Sequence, residues 1–495
     1  MNNPSRFYKF LHSLSFDRAH SEAGGILIQV IAFMTIGMVI LSGFVGWGTM
    51  SVRAARHSEY RAQAVQIAEA GVDYYRWHLA HAAGDYQDGT ATSGPYIHDY
   101  YDKQGNKLGT FTLTVTPPPL GSTLVTVKST GKVVTDASVS RTVQVKLAKP
   151  SFARYAVVSN SDLSIGANIV GPLHSNGGIY FVSGSASNTV TSAKVTFNST
   201  TTSWATQWGV YTVGDPVPNT AFVSVTPVFT AGRQVGVPAV DFSGITADLA
   251  QLKADAQATG IYYGPSAGGI GYHFVLKTTN TFDVYNVTAN AASACTSYPW
   301  WGSTPCTSVA NSLWSIGTQA LIASNVPFPA NGVIFASDNI WVDGQINGAR
   351  ITIVAAVLPD VGNRKNIIVN DNLLYTFYDG TDVIGLIAQD NFLVGLNSQN
   401  NQRVDAAIIA QNGRVSRYDY QGCGNGLRSN LTLYGMFASN QRYAYGNVDA
   451  YCGPHSASGY NTSRTYIYDS NLLYGPPPSF PPTTSQYQIV SWDEI

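Results

Sequence analysis

The sequence predicts a mainly β protein. A long N-terminal helix with a small antiparallel meander comes first, and a parallel β-solenoid-like domain follows, with a β-sandwich as the alternative for that last part. Three observations predict this. No charged residue lies between Glu22 and Arg53. Three alternating runs follow between residues 107 and 150. From Phe152 onward one short pattern of apolar and amide residues recurs.

The apolar segment Ile26 to Gly48 holds 23 residues, which as a helix would cover roughly 35 Å, enough to cross a bilayer. Trp47 sits near one end, where interfacial aromatics are favoured. "TMSVRAARHSEYRAQ" follows and offers no small-x-small cleavage site, so removal after the segment is not expected. Arg6, Lys9 and Arg18 precede it and Arg53, Arg56 and Arg61 follow, a balance that does not orient it. Beyond it Tyr60, Ala64, Ile67, Ala68, Gly71, Val72, Tyr75 and Leu79 recur mostly at three- and four-residue intervals. No proline occurs between Pro4 and Pro95. One helix from about Ile26 to about His81 is therefore expected, apolar all round over 26–50 and amphipathic over 51–82.

"KLGTFTLTVTPPP", "STLVTVKSTGKVV" and "SVSRTVQVKLAKP" read as strands joined by short links, so a meander over 83–150 is expected. Residues 20 to 148 resemble the PilX-type minor pilin family. The resemblance is carried by Gly24-Gly25-Ile26 before the apolar run, "RAQAVQIAEAGVDYY" (61–75), the strand opening in "GTF", the "STG" at 129–131 and "SRTVQVKL" (140–147). It implies a pilin-like α+β module and a basic leader, 1–25, removed by prepilin peptidase. Gly25 and Ile26 would flank the cut, with Gly24 as the alternative. Most pilins carry glutamate at the fifth mature position, where this chain has Val30, or Gln29 for the alternative cut. The implied partners are the inner membrane and pilus or pseudopilus subunits docking through the helix.

The recurring pattern appears in "GVIFASDNIWVDG" (332–344), "GLIAQDNFLVG" (385–395), "AAIIAQNGRV" (406–415) and "YGMFASNQRY" (434–443), with looser copies at 155–166 and 171–181. The later copies start 21 and 28 residues apart, close to one coil of a parallel solenoid. Val, Ile and Phe would face inward, and Asn and Ser would take the corners, where they bond the backbone. Solenoid-like structure is expected over 151–233 and again over 331–495 with its Pro-rich tail. An insert at 234–330 carries one helix (243–259) and a cysteine loop. Ser243 is its expected N-cap, and Ile245, Leu249, Leu252 and Ala256 share a face. Its expected role is to cap or cover the solenoid.

Cys295, Cys306, Cys423 and Cys452 form no C-x-x-C pair. Three connectivities exist, and 295–306 with 423–452 close the shortest loops. Disulfides require an oxidising compartment, so the C-terminal part is expected outside the cytoplasm. The net charge of −1 and the lack of a basic run argue against nucleic acid as partner. Asp338, Asp343, Asp371, Asp390 and Asp405 are the carboxylates to weigh for catalysis, yet most stand beside Asn or Gly, where an Asx turn explains them. His78 and His81 lie about a turn apart without a third ligand, His174 lacks a nucleophile partner, and "GNRK" (362–365) reads as a solvated turn. No Walker or dinucleotide fingerprint occurs. The expectation is a membrane-anchored surface protein for assembly and display, with a glycan or other surface ligand, no cofactor, no metal and no catalysis. The rivals are an anchored carbohydrate-active β-helix enzyme and a non-pilus wall or S-layer-type structural protein.

Overall fold

A computed structural model describes residues 25–118, 123–136, 138–198, 206–216, 227–242, 245–291, 313–418, 420, 425–445, 458–473, 475–483 and 486–495. Helix α1 (Gly25–His81) is unbroken over 57 residues, about 85 Å at the standard rise. Its distal part buries Ala64, Ile67, Ala68, Gly71, Val72, Tyr75 and Leu79, the stripe that the spacing predicts. Strands β1 (Tyr96–Tyr101), β2 (Lys107–Thr116), β3 (Val125–Val133) and β4 (Ser140–Ala148) form the antiparallel meander beneath it. Phe111, Leu113, Val127, Val143, Val145 and Leu147 face the helix in one core. The small residues within "AEAG" (68–71) and "STG" (129–131) are packing devices here. Gly71 sits against Ser129 and Phe111, and Gly131 against the backbone at Ala64 and Ala68, so helix and sheet approach closely where side chains are absent.

The C-terminal part is a parallel solenoid with three walls, and the sandwich alternative falls on its parallel register. In the first wall the strands stack as 261–263, 333–336, 352–355, 385–388, 407–410, 437–439, 157–159, 173–175, 190–192 and 233–235. This order is not chain order. The chain enters mid-stack at Val157 and climbs to one end at Val235. It crosses to the far end at Ile261, then stacks back until Phe437 pairs with Val157. The recurring pattern is now physical: Val333–Ala336 belongs to the first wall, Ser337 to Asn339 turn the corner, and Ile340–Gln345 enters the second wall. Along the corner Asn440 Nδ2 donates to the Asn412 carbonyl at 3.2 Å, Asn160 Nδ2 to Asn440 at 2.8 Å and Asn176 Nδ2 to Asn160 at 2.8 Å. The amide ladder therefore continues across the seam between the two halves.

First-wall strands read as unbroken apolar runs because both faces are covered. Ile334, Ile353, Leu386, Ile408 and Phe437 point into the solenoid core. Their neighbours Phe335, Val354, Ile387, Ile409 and Ala438 point outward, into a second core with Leu249, Leu252 and Ala256 of α2 (Ile245–Ala258) and with Leu472 and Phe480 of the tail. Helix α2 thus lies along the side of the solenoid; Ser243 is outside the described residues. Outside the second wall Trp341, Ile368 and Leu393 pack under an antiparallel arm of Thr281–Asn290 and Ile316–Pro327, whose Val287 and Ile316 reach them.

Two features depart from expectation. The insert does more than carry a helix and a loop: it supplies the end rung Ile261–Tyr263 and the strand Gly271–Lys277, which opens the antiparallel arm. The segment assigned to solenoid and tail also ends elsewhere. Gln488–Glu494 pairs antiparallel with β4 as the fifth strand of the N-terminal sheet. The solenoid is therefore an insertion between β4 and that terminal strand. Thr483 N donates to the Pro150 carbonyl at 2.7 Å, and Ser151 bridges Pro482, so the outgoing and returning threads run side by side.

Candidate functional site

The expected assembly element is the proximal part of α1. Its large apolar side chains, from Ile26 through Phe33, Phe44 and Trp47 to Val52, are exposed, whereas a soluble protein would bury them. The polar groups among them are satisfied locally. Thr35 Oγ1 donates to the Ile31 and Ala32 carbonyls, Ser42 Oγ to Val39 and Thr49 Oγ1 to Gly46. Back-bonding of this kind lets hydroxyls sit in an apolar surround without an orphaned donor. By length and composition the helix can cross a membrane. Arg53, His57 and Arg61 follow along one face. Gly25 and Ile26 stand exposed at the start of α1. Gly24 lies outside the described residues, as do Cys295, Cys306, Cys423 and Cys452 with both of their expected pairings.

The carboxylates weighed for catalysis each have a separate partner. Asp338 accepts from Ser266 Oγ at 2.7 Å and pairs with Lys365 at 3.1 Å. Burial pushes its carboxyl up, but the bonds from Ser266, Asn339 and Lys365 prevail and hold it below the usual range. Asp343 meets His273 Nε2 at 2.9 Å, Asp371 accepts from Asn372 N at 2.7 Å, and Asp390 accepts from Asn391 Nδ2 at 2.7 Å. Asp405 accepts from Arg403 Nε at 2.7 Å and from the Tyr378 hydroxyl at 2.7 Å. Burial raises the Asp405 carboxyl. Burial, then the bond to Asp405, pushes the Tyr378 hydroxyl up to about 12.

The histidines are likewise engaged. His78 meets Asp85 at 3.0 Å, and His81 Nδ1 donates to the Trp77 carbonyl at 2.8 Å, so the two do not share a ligand. His174 lies between Thr191 and Asn176, packed beside Tyr155. Among the described residues no group of three or more His, Cys, Asp or Glu could hold a metal ion.

One constellation escaped the sequence reading: Phe377, Tyr378, Arg403 and Tyr434 on the third wall. The Arg403 guanidinium lies 5.1 Å from the Tyr378 ring centre and 5.7 Å from that of Tyr434. The two rings meet edge-on at 5.0 Å. The signal present was the aromatic density of "LLYTFYDG" (373–380), though nothing local says that Arg403 and Tyr434 join it.

No protein-family profile matches the chain. No curated protein matches it either. Among solved structures one similar chain is the competence-associated pilin ComZ from Thermus thermophilus, at 14% identity over 88% of this chain and 98% of that one, with a TM-score of 0.31. A superposition that loose carries no argument.

Proposed function

We propose that this chain is a type IV pilin-related minor subunit of the PilX kind. It anchors in the inner membrane through α1, joins a pilus or pseudopilus, and displays its solenoid outside the cell. The observation that carries this reading is the division of one unbroken helix. Residues 64–79 are locked onto a sheet by a buried stripe, while 26–52 remain bare. A plain anchor does not need the locked half. A helix built this way suits lipid first and a bundle of like helices later.

The inserted domain sets its copy number. A compact fold of about 330 residues has a radius of gyration of roughly 20 Å, whereas packed helices stand about 8–10 Å apart. A solenoid on every subunit would collide with its neighbours, so the subunit belongs at low copy, at a filament tip. Its work is display and adhesion, not catalysis.

In cells with verified prepilin peptidase the mature chain should begin at Ile26, or at Gly25 for the alternative cut. Gly25→Val, with Gly24→Val if cleavage shifts, should leave the leader on. Mass spectrometry of the N-terminus and immunogold labelling read the two claims. Met1 retained on a protein absent from filaments would overturn the pilin reading and favour a non-pilus anchored surface protein. Gold spaced along the shafts would overturn tip placement.

A further inference from the structure

Helix α2 and the tail cover the first wall and the antiparallel arm covers the second. Among the described residues nothing comparable covers the outer face of the third wall, where Asn401 and Ser463 are exposed and Asn430, Arg403, Thr432 and Thr465 half-buried. Two of its outward rows are polar and in register: Asn401, Asn430 and Ser463 in one, Arg403, Thr432 and Thr465 in the next. Asn430 Nδ2 donates to Asn401 Oδ1 at 2.7 Å and Ser463 Oγ to Asn430 Oδ1 at 3.0 Å. Where the wall meets the turn of the antiparallel arm there is a cleft of about 600 Å³, lined by Lys277, Thr279, Asn325, Asp343, Gln345 and Asn372 among others.

Two hydrogen bonds tie the cleft to the aromatic constellation on the neighbouring rungs. Gln345 Nε2 donates to Thr376 Oγ1 at 3.0 Å, and Asn372 Oδ1 accepts from Arg403 N at 2.8 Å. Beside Thr376 stand Phe377 and Tyr378, 46% and 43% exposed. Tyr378 is exposed yet fixed: its hydroxyl is held by Asp405 and its ring faces Arg403. The cations nearby already have partners. Lys277 pairs with Asp283 at 2.6 Å and Arg403 with Asp405 at 2.7 Å. A strongly anionic ligand would have to displace those carboxylates.

We propose that this cleft and its aromatic shoulder bind a neutral, extended oligosaccharide. Amides and hydroxyls in the cleft would meet sugar hydroxyls, each group able both to donate and to accept. The held Tyr378 ring, with the exposed Phe377 ring beside it, would take the apolar C–H face of a pyranose, Tyr378 giving contact area with little loss of side-chain freedom. This deepens the display reading and rests on it, because a displayed wall gains its use from what it holds. A protein strand is the less suitable occupant, because strand addition needs an open sheet edge and the cleft lies on a sheet face.

The test uses the full chain in detergent, titrated calorimetrically with cellohexaose, laminarihexaose and chitohexaose, and with tetragalacturonate as the acidic comparison. At least one neutral hexamer should bind. Phe377→Ala and Tyr378→Ala should each weaken binding about tenfold or more, close to 1.4 kcal/mol. Val361→Ala, on an exposed loop between Ala355 and Ile367 that does not line the cleft, should change nothing. The Phe377 ring is half exposed, so an unchanged melting temperature for Phe377→Ala keeps the result interpretable if Tyr378→Ala unfolds. Failure of all three neutral hexamers, binding of the acidic one alone, or affinity unmoved by both ring variants would overturn the proposal. No filament enters this measurement. Filament incorporation without binding sinks the site alone, and binding without incorporation sinks only the pilus reading.

Discussion

At Ser129 and Gly131 two small residues, two apart on β3, face the same helix with opposite consequences. A methyl group at Gly131 would meet the Ala64 carbonyl and the Ala68 amide, backbone atoms that cannot turn aside. Gly131→Ala should therefore lever α1 off the sheet and cost about 1–3 kcal/mol. Ser129 is fully buried, and its hydroxyl has no hydrogen-bond partner among the described residues. Removing an unsatisfied hydroxyl relieves a desolvation penalty, so Ser129→Ala should stabilise the same seam by about 1 kcal/mol. Hydrogen exchange over 125–133 should rise in the first variant and fall in the second. Equal shifts of one sign would refute the account. The "STG" and "AEAG" stretches were legible only as carriers of a family resemblance, which implied a helix on a sheet. Which of their atoms touch was not, because that depends on a crossing no local pattern encodes.

Among the elements, α1 and α2 were the most legible, since a stripe repeating every three or four residues admits few readings. The solenoid strands were legible for another reason: apolar runs ending in amides mark a wall and its corner. What the runs could not announce was their covered outer face, because Phe335 outward and Ile334 inward look alike in sequence. Helix α2 supplies that cover, and Asp248 in its first turn makes the cover sensitive to pH. Burial raises the Asp248 carboxyl from 3.8 to about 6. A folded-state value above the unfolded one means that the folded state holds the proton more tightly. Stability is then full below about pH 4 and is lost as pH rises through about 6. The positive end of the helix dipole offsets part of this. Asp248→Asn should thus raise stability at pH 7.5 by on the order of 1 kcal/mol and leave pH 3.5 unchanged. Denaturant midpoints at the two pH values check it, and a difference independent of pH would count against it.

At the scale of the whole molecule, the last residues complete the first sheet. Tyr487 is buried in the core under α1, with its hydroxyl 3.3 Å from that of Tyr86. Deleting 487–495 should bare the edge of β4 and open that core, while the solenoid seam at Phe437 and Val157 stays closed. Limited proteolysis should then cut within 96–148 and spare 333–439. An unchanged digest would show that the module stands without its final strand. This closure was the least legible feature. "QIVSWDE" (488–494) carries no clean alternation, its register is interrupted between Ile489 and Ser491, and its partner is more than 300 residues away, a distance over which hydrophobic patterning gives no address.

The paired threads, with Pro150 and Ser151 against Thr483 and Pro482 and Ala148 against Gln488, bear on heading and torque. A domain hung from one chain can swivel about a few backbone bonds. One moored by two adjacent chains, held together by the backbone bridge of Ser151 and Pro482, must twist both together. The third wall would then keep a constant heading relative to the axis of α1, like a vane fixed to its mast. A pull on the solenoid would be split between two neighbouring strands of one sheet, and no single peptide would carry the whole load.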